Sequence, residues 1–320
     1  MNLLSVKDLS YSQIQNLLNE ADYISNGLSS NVDFSHLARG KVLGIIKDEG
    51  STRTRTSFEV GMKRLGGEVV LLDLNSGTSM SKGETIQDTV RILSGYVDVI
   101  VMRHSVKGEV NNCAEFSSVP LINAGDGNGE HPTQALLDIY TIWKECKELY
   151  KLNIMLTGDL KNSRTVHSLL QLLSIFSSYS VVHLVAPDDM QLPDSYKLSN
   201  IKFKYYKNLN NALSQCENLD VLYMTRLQRE RVEEDYYDIL SYNHNCLLDS
   251  DCINKLGNCL VMHPLPRLNE IPQYFDKDKR AIYFKQAKNG MYVRMALLNN
   301  ILNEKDFFAR NLNNTCLENG

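Results

Sequence analysis

Short apolar runs alternate with stretches of helical period along most of the chain. Residues 41–46 (Lys-Val-Leu-Gly-Ile-Ile) read as a buried strand, and a helical pattern follows over 53–65. The alternation continues with a strand at 68–72, a helix at 84–93 and strands at 98–102 and 119–123. From Pro132 to about residue 149 the period is helical, with the proline at a natural first-turn position. The second half repeats the order: a strand at 153–157, a helix at 164–176, and strands at 180–185, 220–224 and 259–262. Repeated β-α-β order predicts parallel sheets with helices on both faces. The expected fold is therefore α/β, with two doubly wound parallel-sheet domains of similar size linked by helices near 132–150. The boundaries expected are 1–145 and 146–290, with a late helix at about 291–302 returning to the first domain. The tail to residue 320 is rich in Asn and is expected to fray.

Composition narrows the picture. A length of 320 residues suits two domains, and 43% hydrophobic with 22% charged residues excludes a disordered or fibrous chain. Lys plus Arg number 34 against 38 acids, a net charge of −4. Such a surface has no general attraction for nucleic acid or an anionic membrane, so an anionic ligand must be held by a local cluster of cations. No apolar stretch approaches the roughly 18 residues of a membrane span. Charge at Lys7 and Asp8 comes too early for a signal-peptide core, and the expectation is a soluble, cytoplasmic protein. The seven cysteines (113, 146, 216, 246, 252, 259 and 316) are odd in number and show no CxxC spacing. They read as reduced thiols, with no zinc site expected.

In open α/β sheets, ligands sit at the carboxyl ends of the strands, and the polar motifs fall there. Ser51-Thr52-Arg53-Thr54-Arg55 follows a strand and opens a helix, whose free N–H groups suit a phosphate. An ordinary hydroxyl cap with exposed arginines is the plainer alternative. Val101-Met102-Arg103-His104 brings charge directly after a strand. His131-Pro132-Thr133-Gln134 places His131 and Gln134 on one helix face, although a single histidine is more often structural. Thr157 to Thr165 forms a second strand-to-helix loop, with too little glycine for a dinucleotide fingerprint. Thr225-Arg226-Leu227-Gln228-Arg229-Glu230-Arg231 follows another strand, and its bland reading is a solvated loop. His263-Pro264-Leu265-Pro266-Arg267 is a loop stiffened by two prolines. Together, Arg53, Arg103, Arg164 and Arg226 at such edges point to a strongly anionic ligand, with phosphate at the helix start and carboxylates in the second half.

These residues resemble the aspartate/ornithine transcarbamoylase family over about residues 5–303. The Ser-Thr-Arg-Thr-Arg run with Ser57-Phe58-Glu59 looks like its carbamoyl phosphate motif. Asn123-Ala124-Gly125-Asp126-Gly127 with His131 to Asp138 is similar to a second signature. Gly158-Asp159-Leu160-Lys161 with Arg164 to Ser168, Tyr223 to Arg226, His263 to Arg267, and Gln286-Ala287-Lys288-Asn289-Gly290 complete the match.

The resemblance implies a carbamoyl phosphate-binding first domain and an aspartate-binding second domain. The implied reaction transfers the carbamoyl group to L-aspartate, in pyrimidine biosynthesis, with no cofactor and no metal. Ser51, Thr52, Arg53 and Thr54 would hold the phosphate. Thr54, Arg103 and His131 would polarise the carbamoyl oxygen, and Gln134 with the main chain of Leu265 and Pro266 would grip the carbamoyl nitrogen. Arg164 and Arg226, supported by Gln228, would clamp the aspartate carboxylates. Thr78 to Glu84 is similar to a loop that enters a neighbouring subunit's site, so Ser79 and Lys82 would act in trans within a homotrimer. A mobile surface turn is the plainer reading of that loop. Glu49 matches an acid that bridges to the positions of Arg164 and Arg231 on domain closure. A regulatory chain or a larger pyrimidine complex is compatible as a partner.

Arg226 suits a carboxylate, whereas ornithine would need an anionic or neutral pocket for its amine. The loop at His263 also lacks the cysteine of the ornithine enzymes. Another acceptor such as ornithine, or a non-catalytic anion-binding homologue, is the alternative. One departure stands out: where the family has two aromatic or apolar residues, this chain has Lys47-Asp48. Burying such a pair is costly unless the strand end is open or both charges find partners.

Overall fold

The run Val42–Lys47 has four buried residues between half-buried ends, the pattern of a strand covered on both faces. It is strand β1 of the protein's computed structural model, which describes all residues except 1, 49, 51, 77–81, 177–180, 229–241, 243 and 304–320. A helix, α1 (Tyr11–Ser29), precedes it. There follow α2 (Thr52–Arg64), β2 (Glu68–Asp73), α3 (Ile86–Ser94), β3 (Val99–His104), α4 (Glu109–Ala114), β4 (Leu121–Asp126) and α5 (Pro132–Cys146). The sheet order is β2-β1-β3-β4, and every pairing is parallel.

A second parallel sheet is built from β5 (Asn153–Thr157), β6 (Val181–Val185), β7 (Lys202–Tyr206), β8 (Val221–Met224) and β9 (Leu260–Met262), in the order β7-β6-β5-β8-β9. Its helices include α6 (Arg164–Phe176), α7 (Leu209–Gln215) and α8 (Ser250–Lys255), and α9 (Tyr283–Asn303) ends the described chain. The chain divides into two compact units, 1–140 with 289–320, and 141–288. The fold is α/β with two parallel sheets. Each has its own core: Ile46, Val90, Ile100, Met102 and Leu121 in the first unit, and Met155, Leu222, Met224, Val261 and Phe275 in the second. Each such side chain contributes about 1.5–3 kcal/mol through burial.

Both sheets reverse their winding in the middle, between β1 and β3 in the first and between β5 and β8 in the second. The crevice beyond such a switch point is where open α/β sheets bind ligands. Several elements differ from the sequence pattern. Strand β3 runs on to His104, so Arg103 lies within the strand rather than after it. Helix α5 stops at Cys146, and Lys147 takes a left-handed φ of 64°. Helix α9 begins earlier, at Tyr283, and in the first unit Arg294 from it bonds Ser57 of α2. Helices α1, α4, α7 and α8 and edge strand β7 are additional to the predicted set. The polar tail from 304 lies outside the described residues.

Candidate functional site

Helix α2 opens directly beyond the β1 end. Thr52 and Arg53 are exposed and Thr54 is buried. The Ser57 hydroxyl donates back to the carbonyls of Arg53 (2.6 Å) and Thr54 (3.0 Å), fixing the first turn. Arg55 is drawn along its own helix towards Glu59, at 3.6 Å, and Lys63 holds the same acid at 2.9 Å. The Lys63 contact first, and both cationic charges, hold the Glu59 carboxyl below its ordinary range. Arg55 is thus part of a helix-surface network. Arg103 reaches from β3 to the Ala124 carbonyl of β4 at 3.3 Å. Lys47, Thr54, Arg103 and Ala124 line one small cavity.

The Lys47-Asp48 departure resolves in favour of partners for both charges. Lys47 sits in register between Asp73 of β2 and Arg103 of β3, and its ammonium pairs with Asp73. That contact holds the Asp73 carboxyl below its ordinary range. Asp48 turns the other way. Its Oδ2 accepts from Ser105 Oγ at 2.6 Å and stands 3.3 Å from His104 Nε2. Lys47 and Asp48 therefore stitch β1 to β2 and β3 separately.

At the start of α5, His131 and Gln134 are both buried. Thr133 Oγ1 lies 3.5 Å from His131 Nδ1. The Gln134 amide nitrogen donates to Asp138 one turn on, at 2.9 Å, which leaves Oε1 as the end facing away from that bond. Beneath them lies Arg294, which sequence motifs do not flag. It is buried, donates to Ser57 Oγ at 2.9 Å, contacts Thr133 Oγ1 at 3.5 Å, and stacks over the Phe58 ring at 5.1 Å. Burial pushes its guanidinium down to about 9, with nearby Asp138 opposing and Arg103 adding to the shift. Arg294 thus ties the starts of α2 and α5 together. The Asn123 to Gly127 segment is mainly architectural: Asn123 accepts from Gly125 N at 2.8 Å, and Asp126 accepts from Gly108 N at 2.8 and 3.0 Å.

In the second unit, the loops after β5 and β8 carry Arg164 and Arg226. Gly158 has φ 118°, and a Cβ there would lie 2.2 Å from the Thr225 carbonyl oxygen, so only glycine lets the two loops approach. Asp159 completes the junction by accepting from Asn162 N at 3.0 Å and from Gln228 N at 3.1 Å. Arg164, the first residue of α6, is buried, and Arg226 is half-buried with Nη1 on the Leu227 carbonyl at 2.9 Å. The Tyr242 hydroxyl, at 2.6 Å, caps the Thr225 carbonyl. Asp159 is the organiser that spacing alone does not identify.

The 263–267 loop is set by a buried pair. His263 Nδ1 accepts from Leu265 N at 2.8 Å, so Nε2 carries the hydrogen that meets Glu270 Oε1, also at 2.8 Å. Burial alone would raise the Glu270 carboxyl, but His263 and the Leu268 and Glu270 N–H groups outweigh it and bring it below its ordinary value. Leu265 takes φ 56°, its bond to Pro266 is cis, and Pro266 is exposed. Arg267 pairs with Asp276 through both terminal guanidinium nitrogens, Nη1 and Nη2, and with the Tyr283 hydroxyl through Nη1, and so serves the scaffold. Lys82 is exposed. Glu49, Ser51, Ser79 and Arg231 lie outside the described residues. No group of three or more His, Cys, Asp or Glu among the described residues is arranged to hold a metal ion.

Residues 1–144 match the family model described as aspartate/ornithine carbamoyltransferase, carbamoyl-P binding domain, and 150–301 match that of the Asp/Orn binding domain. An aspartate carbamoyltransferase catalytic subunit from Finegoldia magna is 42% identical over 308 residues, covering 94% of this chain and 97% of that protein. One from Picrophilus torridus is 42% identical, covering 95% and 98%. Among solved structures, the catalytic subunit of M. jannaschii aspartate transcarbamoylase superposes with a TM-score of 0.84 at 38% identity, over 95% of this chain and 99% of that one. The aspartate transcarbamoylase of Trypanosoma cruzi in complex with N-(phosphonacetyl)-L-aspartic acid gives 0.88 at 36% identity, over 94% and 95%.

Proposed function

The chain belongs to the aspartate/ornithine carbamoyltransferase family, and from that premise we propose that it transfers the carbamoyl group of carbamoyl phosphate to L-aspartate. The products are N-carbamoyl-L-aspartate and phosphate, and the reaction serves pyrimidine synthesis in the cytoplasm. The observation that carries this reading is the placement of cations at both switch points: Arg53 beyond β1 and Arg103 within strand β3 just before its end at His104, Arg164 and Arg226 beyond β5 and β8. Relatives solved with carbamoyl phosphate, with aspartate and with carbamoyl aspartate support the same substrate pair.

In this reading Ser51, Thr52, Arg53 and Thr54 hold the phosphate, using forked guanidinium donors and the free N–H groups of the α2 start. Thr54, Arg103 and His131 polarise the carbamoyl oxygen and stabilise the oxyanion that forms as the aspartate amine attacks. Gln134 Oε1 accepts from the carbamoyl nitrogen, assisted by the carbonyls of Leu265 and Pro266. Arg164 and Arg226 hold the two aspartate carboxylates, with Gln228 in support. The tetrahedral intermediate collapses with loss of phosphate, whose oxygen takes the amine proton. Alignment and electrostatics supply the rate, with no covalent enzyme intermediate. Ser79 and Lys82 of a neighbouring subunit complete the site in a homotrimer, and Glu49, Arg164 and Arg231 hold the closed state.

The test is carbamoyl transfer by the purified protein with carbamoyl phosphate and either amino acid. Carbamoyl aspartate as the product is expected. Product from ornithine alone would reassign the acceptor, and no product from either would indicate a non-catalytic homologue.

A further inference from the structure

We propose that Asp48 is a positioning residue for the carbamoyl phosphate site, acting through the β3 end that carries Arg103. The inference rests on the reading of Arg103 as a carbamoyl phosphate ligand. Asp48 touches three consecutive residues there. Its N–H donates to the Arg103 carbonyl at 3.3 Å, and its Oδ2 takes Ser105 Oγ at 2.6 Å and faces His104 Nε2 at 3.3 Å. The orientation of His104 is fixed from its other side. Its Nδ1 accepts from Val106 N at 3.0 Å, so the ring hydrogen sits on Nε2, towards Asp48. Asp126 takes Gly108 N with both oxygens, and Gly127 N donates to the His104 carbonyl at 2.9 Å, which pins the far side of the same segment. The segment after Arg103 is thus clasped between Asp48 on the β1 side and Asp126 on the β4 side.

The cost of this arrangement is visible. Asp48 Oδ1 is buried and lacks a hydrogen-bond partner among the described residues, and an unsatisfied buried acceptor is unfavourable. A carboxylate near an anion site also repels the anion. Two accounts of Asp48 therefore predict opposite signs. If only its charge mattered, removing it would lower the KM for carbamoyl phosphate. If it clasps the Arg103 segment, removing the side chain raises that KM.

The test compares Asp48→Ala with Asp48→Asn in the full-length protein. Asparagine can place its oxygen where Oδ2 meets Ser105 and His104, so it keeps the clasp and loses the charge. Asp48→Ala is expected to raise the KM for carbamoyl phosphate roughly tenfold and lower kcat, while the KM for aspartate at saturating carbamoyl phosphate changes little. Asp48→Asn is expected to have a KM at or below the wild-type value. Adding Ser105→Ala to Asp48→Ala should cause little further change, because both remove the same contact. An unchanged or lowered KM in Asp48→Ala would overturn the proposal, as would equal losses in Asp48→Ala and Asp48→Asn. Should Asp48→Ala fail to fold, the His104→Ala/Ser105→Ala variant removes both side-chain contacts of Asp48, and the Val106 bond of His104 with them, and must show at least the same rise. Arg103→Ala separates the premise from the inference. Intact carbamoyl phosphate dependence in that variant would remove the underlying site reading, whereas its loss beside an unaffected Asp48→Ala would remove only the clasp.

Discussion

Arg267 and Arg226 both stand on loops beyond strands of the second unit; the first is bound into the fold, and the second is proposed to hold substrate. Arg267 is met by Asp276 and the Tyr283 hydroxyl, which satisfy its fork within the fold. Arg226 bonds the main-chain carbonyl of Leu227. A guanidinium that clamps a substrate carboxylate through two charge-assisted hydrogen bonds contributes about 1.5–3 kcal/mol per bond. Arg226→Ala is therefore expected to lower kcat/KM for aspartate by roughly 100-fold or more, with the KM for carbamoyl phosphate little changed. Steady-state kinetics in both substrates reads this directly, and equal losses for the two would count against the assignment. His183 offers a pH test away from the site. Its Nε2 meets Asn153 Oδ1 at 2.8 Å, its Nδ1 meets the Tyr206 hydroxyl at 3.2 Å, and Cys216 Sγ lies 3.4 Å from Nε2. Burial, with some help from Lys204, lowers the imidazole from 6.5 to about 4. Between those values the unfolded chain binds a proton that the folded chain refuses, so this contribution is intact above about pH 6.5 and is lost as pH falls towards 4. Denaturant unfolding of His183→Gln across that interval should show a flatter dependence than the wild type. Parallel profiles would remove His183 as the source.

Among the elements, the strands around each switch point are legible because a strand buried on both faces must be nearly continuous in apolar residues, as β1 and β8 are. Strand β7 is not, since Lys202–Tyr206 lies at a sheet edge and three of its five residues are exposed. Helix α1 carries its own signal, with Ser10 and Gln13 forming a capping box ahead of Ile14, Leu17 and Leu18, but it precedes the first strand and so falls outside the strand-helix alternation. The arginines of the candidate site are legible by position. The residues that hold them are not, because their roles depend on partners far along the chain: Asp48 on Ser105, 57 residues away, Asp159 on Gln228, 69 away, and Arg294 on Ser57, 237 away. The β5 and β8 loops give a test at this scale. A methyl group at Gly158 would collide with the Thr225 carbonyl, and the φ of 118° is itself unfavourable for alanine. Gly158→Ala is expected to cost about 2 kcal/mol or more and to raise the KM for aspartate by separating the loops of Arg164 and Arg226. Thermal unfolding and kinetics on the same sample check both. A large loss of stability with normal aspartate kinetics would mean that the junction holds the fold without setting the site.

At the scale of the whole molecule, the reading of Lys82 as a residue that serves a neighbouring subunit makes a quantitative prediction. Lys82 is exposed, whereas His131 is buried at the start of α5. In a cyclic trimer with head-to-tail contacts, each site would use His131 of one subunit and Lys82 of the next. Trimers of Lys82→Ala alone and of His131→Ala alone should both be inactive. When equal amounts are dissociated and reassembled at random, a site is complete only if its own subunit carries Lys82→Ala and the donor carries His131→Ala. Each condition holds half the time, so about a quarter of wild-type activity should return. If instead each subunit used its own Lys82, no mixture could contain a complete site and activity would stay at the level of the parents. Native mass spectrometry must first establish that subunits have exchanged. With exchange verified, the recovered fraction decides between sites completed across subunits and sites complete within one chain.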